Sequence, residues 1–148
     1  MHWTGRGMAN WVVRGAQFSP DGRWVAYGSN ESGRMEVYVS PFPSMNAKWQ
    51  VSPNGGLEPR WRRDGKELFY PAPDATLMAS PLMIGASFQS GSPVALFQTH
   101  RRVPISSQDL FSYDVTPDGQ RFLVATKIDS SAAAPLSVTL HWMSATEK

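Results

Sequence analysis

Apolar and aromatic residues in this chain come in short runs, and each run is cut off by Gly, Pro, Asp or Asn. "RWVAYGS" is followed by "NESG", then "RMEVYVS", then a Pro-rich loop and "KWQVS". Runs of this length between breakers read as β-strands. The pattern predicts strands over 15–19, 23–29, 34–40 and 48–52, then 58–62, 66–71, 76–82 and 93–98. A last set covers 111–116, 121–127 and 136–143. The stretch "GASFQSGS" reads as a loop before the strand at 93–98. The chain is expected to be all-β.

The runs repeat as units. Phe18-Ser19-Pro20-Asp21-Gly22 aligns with Trp61-Arg62-Arg63-Asp64-Gly65 and with Val115-Thr116-Pro117-Asp118-Gly119. The three Asp-Gly pairs lie 43 and 54 residues apart, and each precedes a polar residue and a strand. Asp-Gly between two apolar runs is a strong hairpin signal, because Gly supplies positive φ and Asp tolerates the turn. Asp21, Gly22, Asp64, Gly65, Asp118 and Gly119 are therefore assigned to structural turns. Four strands per unit at such a period is the signature of β-propeller blades. An ordinary β-sandwich would supply short strands too, but not the recurrence of one hairpin at one place in each unit. The blade units are about 14–52, 58–98 and 111–143 within a single partial propeller domain, with 1–13 as a candidate closing strand.

Composition narrows the function classes. The chain of 148 residues holds 12 Gly, 12 Pro and no Cys, which removes disulfides, thiolate nucleophiles and Cys-based metal sites. A net charge of +2 argues for neither nucleic acid nor membrane as partner. Arg60, Arg62, Arg63 and Lys66 form the one basic cluster, interrupted by Trp61 and Asp64, and strand alternation splits it between two faces. No apolar run reaches a membrane span, and "MHWTGRGMANWVVRG" lacks the apolar stretch of a secretory signal. The expectation is a soluble chain, cytoplasmic as it stands and periplasmic if part of a larger protein.

Candidate chemistry is sparse. His2, His100 and His141 are isolated, with no i, i+4 partner of the zincin kind. No Gly-x-Ser-x-Gly elbow occurs, and the serines of "GSNESG" read as turn residues. The polar positions before each hairpin stand out: Gln17, Arg60 and Asp114 align, as do Gly15, Glu58 and Ser112. Innermost strands line the channel of a propeller, so Gln17, Glu58, Arg60, Ser112 and Asp114 are the ligand-binding candidates, against structural pairing in a wet channel. No metal site is assigned; Glu58, Asp114 and Gln17 supply oxygens of the type calcium prefers.

"FSPDGRWVAYGSNESGRMEVYV" resembles the TolB-type, WD40-like β-propeller repeat. The continuation "PFPSMNAKWQVSPNGGLEPRWRRDGKELFY" is similar to the propeller segment C-terminal to bacterial serine/threonine kinases. The likeness covers nearly all of residues 14–143 and implies the fold. It implies no activity, since the matching residues are turn and core positions, and no kinase motif is present. Propellers of this kind commonly have six or more blades, against about three units here. Trp24, Val25, Tyr27, Val37, Tyr38, Leu68, Phe69, Phe122, Val124, Leu140 and Trp142 are expected in the core and on the blade faces. Two copies about a twofold axis would close a six-bladed ring and cover those faces. Three functions follow: a non-catalytic binding or scaffold module for a protein or small molecule, a metal-assisted lactonase- or esterase-like hydrolase, and a severed C-terminal piece of a larger sensor or kinase.

Overall fold

The computed structural model describes residues 11–85, 87–100 and 112–126, together with the backbone of 138–140. His2, His141, Trp142 and residues 1–10 of the expected closing strand lie outside the described residues, as does the side chain of Leu140. Among the described residues there is no helix, and every strand pairing is antiparallel. The first sheet has the order β1 (Val13–Phe18), β2 (Trp24–Ser29), β3 (Glu36–Pro41), β4 (Trp49–Gln50). The second contains β5 (Arg60–Trp61), β6 (Glu67–Pro71), β7 (Thr76–Ile84), β8 (Phe88–Ser90) and β9 (Val94–Gln98). The third is β10 (Tyr113–Val115), β11 (Arg121–Val124), β12 (Val138–Leu140).

The sheets stack face to face in chain order. Strand alternation divides the side chains of the middle sheet between two cores. Leu68, Tyr70 and Leu82 pack with Ala26, Val37, Val39 and Val51 of the first sheet and its β4 end. Phe69, Leu77 and Ala79 pack with Tyr113, Phe122 and Val124 of the third. Both faces of the middle sheet are thus buried. Val25 and Tyr27 alternate with core residues on β2 and stand on the far face of the first sheet, half-buried. Trp24 is half-buried against the first core.

One expectation fails. "GASFQSGS" is not a plain loop: Phe88–Ser90 forms β8 and pairs with Leu82–Ile84. β8 and β9 lie along the same edge of β7, β9 taking Thr76–Ala79 and β8 the far half. The cause is tertiary, since Phe88 is 3% exposed and its ring lies 5.4 Å from both Trp24 and Trp49 of the first sheet. Trp11–Val13, read as the tail of a closing strand, sit on the first sheet itself. The Val12 amide donates to Asn30 Oδ1 at 2.7 Å, and Val13 opens β1.

The aligned turns share one geometry. Gly22, Gly65 and Gly119 have φ of 70°, 71° and 73°. Each donates its amide to the carbonyl three residues back, Ser19, Arg62 or Thr116, at 2.8, 2.9 and 2.8 Å. A fourth copy escaped the sequence reading. Ala72-Pro73-Asp74-Ala75 makes the same turn between β6 and β7, with the Ala75 amide 3.0 Å from the Ala72 carbonyl and φ of 66° at Ala75. An L-residue pays roughly 1–2 kcal/mol in that conformation, so Ala75→Gly should raise stability by about 0.5 kcal/mol or more after its entropy cost. The reverse change separates the other turns. A Cβ at Gly22 meets nothing within 4 Å, whereas at Gly119 it would come within 2.8 Å of Arg62 Cδ and 3.2 Å of Phe69 Cζ. Gly22→Ala should cost roughly 1 kcal/mol and Gly119→Ala roughly 2–4 kcal/mol, strain plus overpacking, in urea melts. Equal costs would contradict this packing.

Candidate functional site

The inner-strand candidates are brought together, but between sheets. Strand side chains stand perpendicular to their sheet, so those of an inner strand point at the neighbouring sheets while its backbone edge faces inward. On β5, Trp61 turns to the first sheet and donates its indole N–H to the Gln17 carbonyl at 3.2 Å. Arg60 turns the other way, with Nε 3.7 Å from Asp114 Oδ1 and a guanidinium N–H directed at the Tyr113 carbonyl, 3.5 Å away. Glu58 is buried, and its Oε2 accepts from both the amide and the hydroxyl of Ser112 at 2.7 Å each. The Tyr113 hydroxyl donates to the Glu58 carbonyl at 3.0 Å. Gln17, Glu58, Arg60, Ser112 and Asp114 therefore join adjacent sheets, the Gln17 link running through its backbone. His100 is exposed, with φ of 45°.

Among the described residues Glu36 carries the most enclosed carboxylate, and the sequence reading passed over it. It is 1% exposed inside β3. Oε1 accepts from Arg34 Nε at 2.5 Å; Oε2 accepts from the Ser52 hydroxyl at 2.5 Å and the Gly55 amide at 2.9 Å. Ser52 Oγ in turn accepts the Val37 amide at 2.7 Å. A charged residue inside the apolar run "MEVYV" was the available signal, because buried charge requires this kind of provision. Nearby, burial pushes the Tyr70 hydroxyl up to about 12, partly opposed by the Ser80 hydroxyl. The serines of "GSNESG" hold their loop: Ser29 Oγ accepts the Glu31 amide and Ser32 donates to the Arg34 carbonyl, each at 3.3 Å.

The turn aspartates are ionised fixtures. Asp21 is lowered to about 2, first by the Ser19 hydroxyl at 2.6 Å and then by Arg23 at 2.8 Å. Asp64 is lowered to about 2, chiefly by Arg62, whose Nε and a terminal nitrogen sit 2.8 and 2.7 Å from its two oxygens. Asp118 is also lowered, the Thr116 hydroxyl being the main cause. Carboxyls held that low suit fixed charge and turn capping; a general acid needs the opposite shift. Among the described residues, no group of three or more His, Cys, Asp or Glu side chains could hold a metal ion, and no helix is long and apolar enough to cross a membrane.

The first two of these turns flank an open groove of about 870 Å3. Asp21 and Arg23 stand on one side, Arg63, Asp64 and Lys66 on the other, and Leu82–Gly85 of β7 and its turn lie along it. The basic cluster is divided here. Arg62 pairs with Asp64 and Glu67 and Arg60 with Asp114, while Arg63 and Lys66 make no ion pair among the described residues.

No family model matches the chain, and no curated protein matches it. Among solved structures, an oligogalacturonate lyase from Vibrio parahaemolyticus is similar at a TM-score of 0.48 and 12% identity, over 78% of this chain. The chain spans 30% of the length of that lyase.

Proposed function

We propose that this chain is a non-catalytic binding module, three blades of a TolB-like β-propeller that a second copy completes to a six-bladed ring. The observation that supports it is the middle sheet, buried on both faces by its neighbours in chain order. Blade stacking has this form, and among the described residues no further sheet packs on the far face of either outer one. Each of those faces carries an exposed apolar side chain, Phe18 at 56% on the first sheet and Leu123 at 45% on the third, where Asp114 and Arg121 stand beside it. Covering them by a second copy removes apolar area from water at roughly 25 cal/mol per Å2. Glu58, Arg60 and Asp114 are engaged in joining sheets, a structural duty that speaks against a catalytic one.

Light scattering after gel filtration tests the ring. The expected particle is twice the chain mass of 16.4 kDa, with unfolding that depends on protein concentration. A folded monomer of 16.4 kDa overturns the closed ring. Turnover of an ester and lactone panel in the presence of calcium overturns the non-catalytic reading.

A further inference from the structure

We propose that the groove between the first two Asp-Gly turns docks an extended acidic segment of a partner protein, which adds as a short strand beside the far half of β7. Three observations converge on this occupant. The first is an open strand edge. Pairing of β6 with β7 ends at Pro81, and the last bond across that edge runs from the Leu82 amide to the Lys66 carbonyl at 2.8 Å. β7 continues to Ile84, held by β8 on its other edge alone. Outward backbone groups alternate along a strand edge, so Ile84 presents the next N–H and C=O on the groove side. No strand pairs there among the described residues. Open edges are where an extended segment adds.

The second observation is charge. The two carboxylates lining the groove are each matched within their own turn, Asp21 by Arg23 and Asp64 by Arg62. Arg63 and Lys66 make no ion pair among the described residues, so the groove's described lining carries a net positive charge. A strand carrying carboxylates complements it, and a basic one is repelled. The third is Met83, 62% exposed beside the open edge. Its flexible thioether offers an apolar contact to alternate side chains of the incoming segment. A nucleic acid would use the cations and ignore the amide edge.

The test uses a fluorescently labelled peptide, Glu-Leu-Glu-Val-Glu-Leu-Glu, followed by anisotropy at low ionic strength. Saturable binding is expected, weakened about tenfold or more by R63E/K66E. N-methylation of alternate peptide amides, which keeps the charge and removes the strand bonds, should weaken it comparably. The Lys-for-Glu peptide should not bind. Absence of binding overturns the proposal, as does R63E/K66E binding equally well. Equal binding of the N-methylated peptide, or of oligo-dT, also overturns it by revealing a general polyanion surface. Both substituted side chains are exposed; if R63E/K66E melts early, R63Q/K66Q replaces it. The inference takes its purpose from the binding-module reading, but the groove lies within one chain. Particle mass and turnover test that reading, and peptide anisotropy on the same sample tests the groove, so either can fail alone.

Discussion

Replacing Phe88 by Ala is expected to cost roughly 3–5 kcal/mol, the range for deleting a buried aromatic side chain. Phe88 is 3% exposed, and its ring completes a cluster with Trp24 and Trp49, themselves 5.7 Å apart edge to face. The three rings come from β8, β2 and β4, so they fasten the second sheet to the first. Aromatic pairs add roughly 0.5–1.5 kcal/mol beyond their area, and this ring has two such partners. A domain of this size is stable by only about 5–15 kcal/mol, so the variant should lie near its unfolding threshold. Phe88→Leu, which keeps most of the volume, should recover more than half of the loss. Urea melts of both proteins measure this. A loss under about 1 kcal/mol for Phe88→Ala would mean that the β7–β8 hairpin does not dock on the first sheet.

The second large effect is expected at Glu36. Glu36→Gln keeps the shape and removes the charge from an oxygen pair that accepts from Arg34, Ser52 and Gly55. Charge-assisted bonds contribute roughly 1.5–3 kcal/mol each, and the amide group of Gln would set donor against donor at one of them. A net cost of roughly 2–4 kcal/mol follows, less than the sum because the exposed Arg34 regains water. Amide exchange gives a local readout. Protection at Gly55 and Val37 should fall further than at Phe122 in the distant core, since Ser52 links Glu36 to the Val37 amide. A Glu36→Gln protein with parental stability and unchanged Gly55 protection would show that the loop is held by packing alone.

How far the sequence could be read varied with the range of the interactions. The Asp-Gly turns were legible because a four-residue turn is decided locally, by positive φ at one residue and a carboxylate that reaches the amide two residues on. For Asp64 that bond is the Lys66 amide at 3.0 Å, and for Asp118 the Gln120 amide at 3.0 Å. The fourth turn was missed because Ala75 stands where the pattern has Gly. The strand ends at 49–50 and 60–61 are shorter than the apolar pattern suggested, since ladder length depends on what lies alongside.

By itself, then, the sequence determined the all-β class, the turns and nearly every strand, through φ preferences and short-range hydrophobic pattern. The tertiary structure decided what those strands face. It put Phe88 in a seam rather than a loop, because the ring is buried only when Trp24 and Trp49 arrive from another sheet. It aimed Glu58 and Arg60 at Ser112 and Asp114 across a sheet boundary, because pleated side chains stand normal to their own sheet. It also left Ile84, among the described residues, without a strand on its β6 side beside Arg63 and Lys66, an outcome of β7 outrunning β6. Each of these depends on partners more than 20 residues away in the chain or on the relative lengths of neighbouring strands, and no local pattern encodes either.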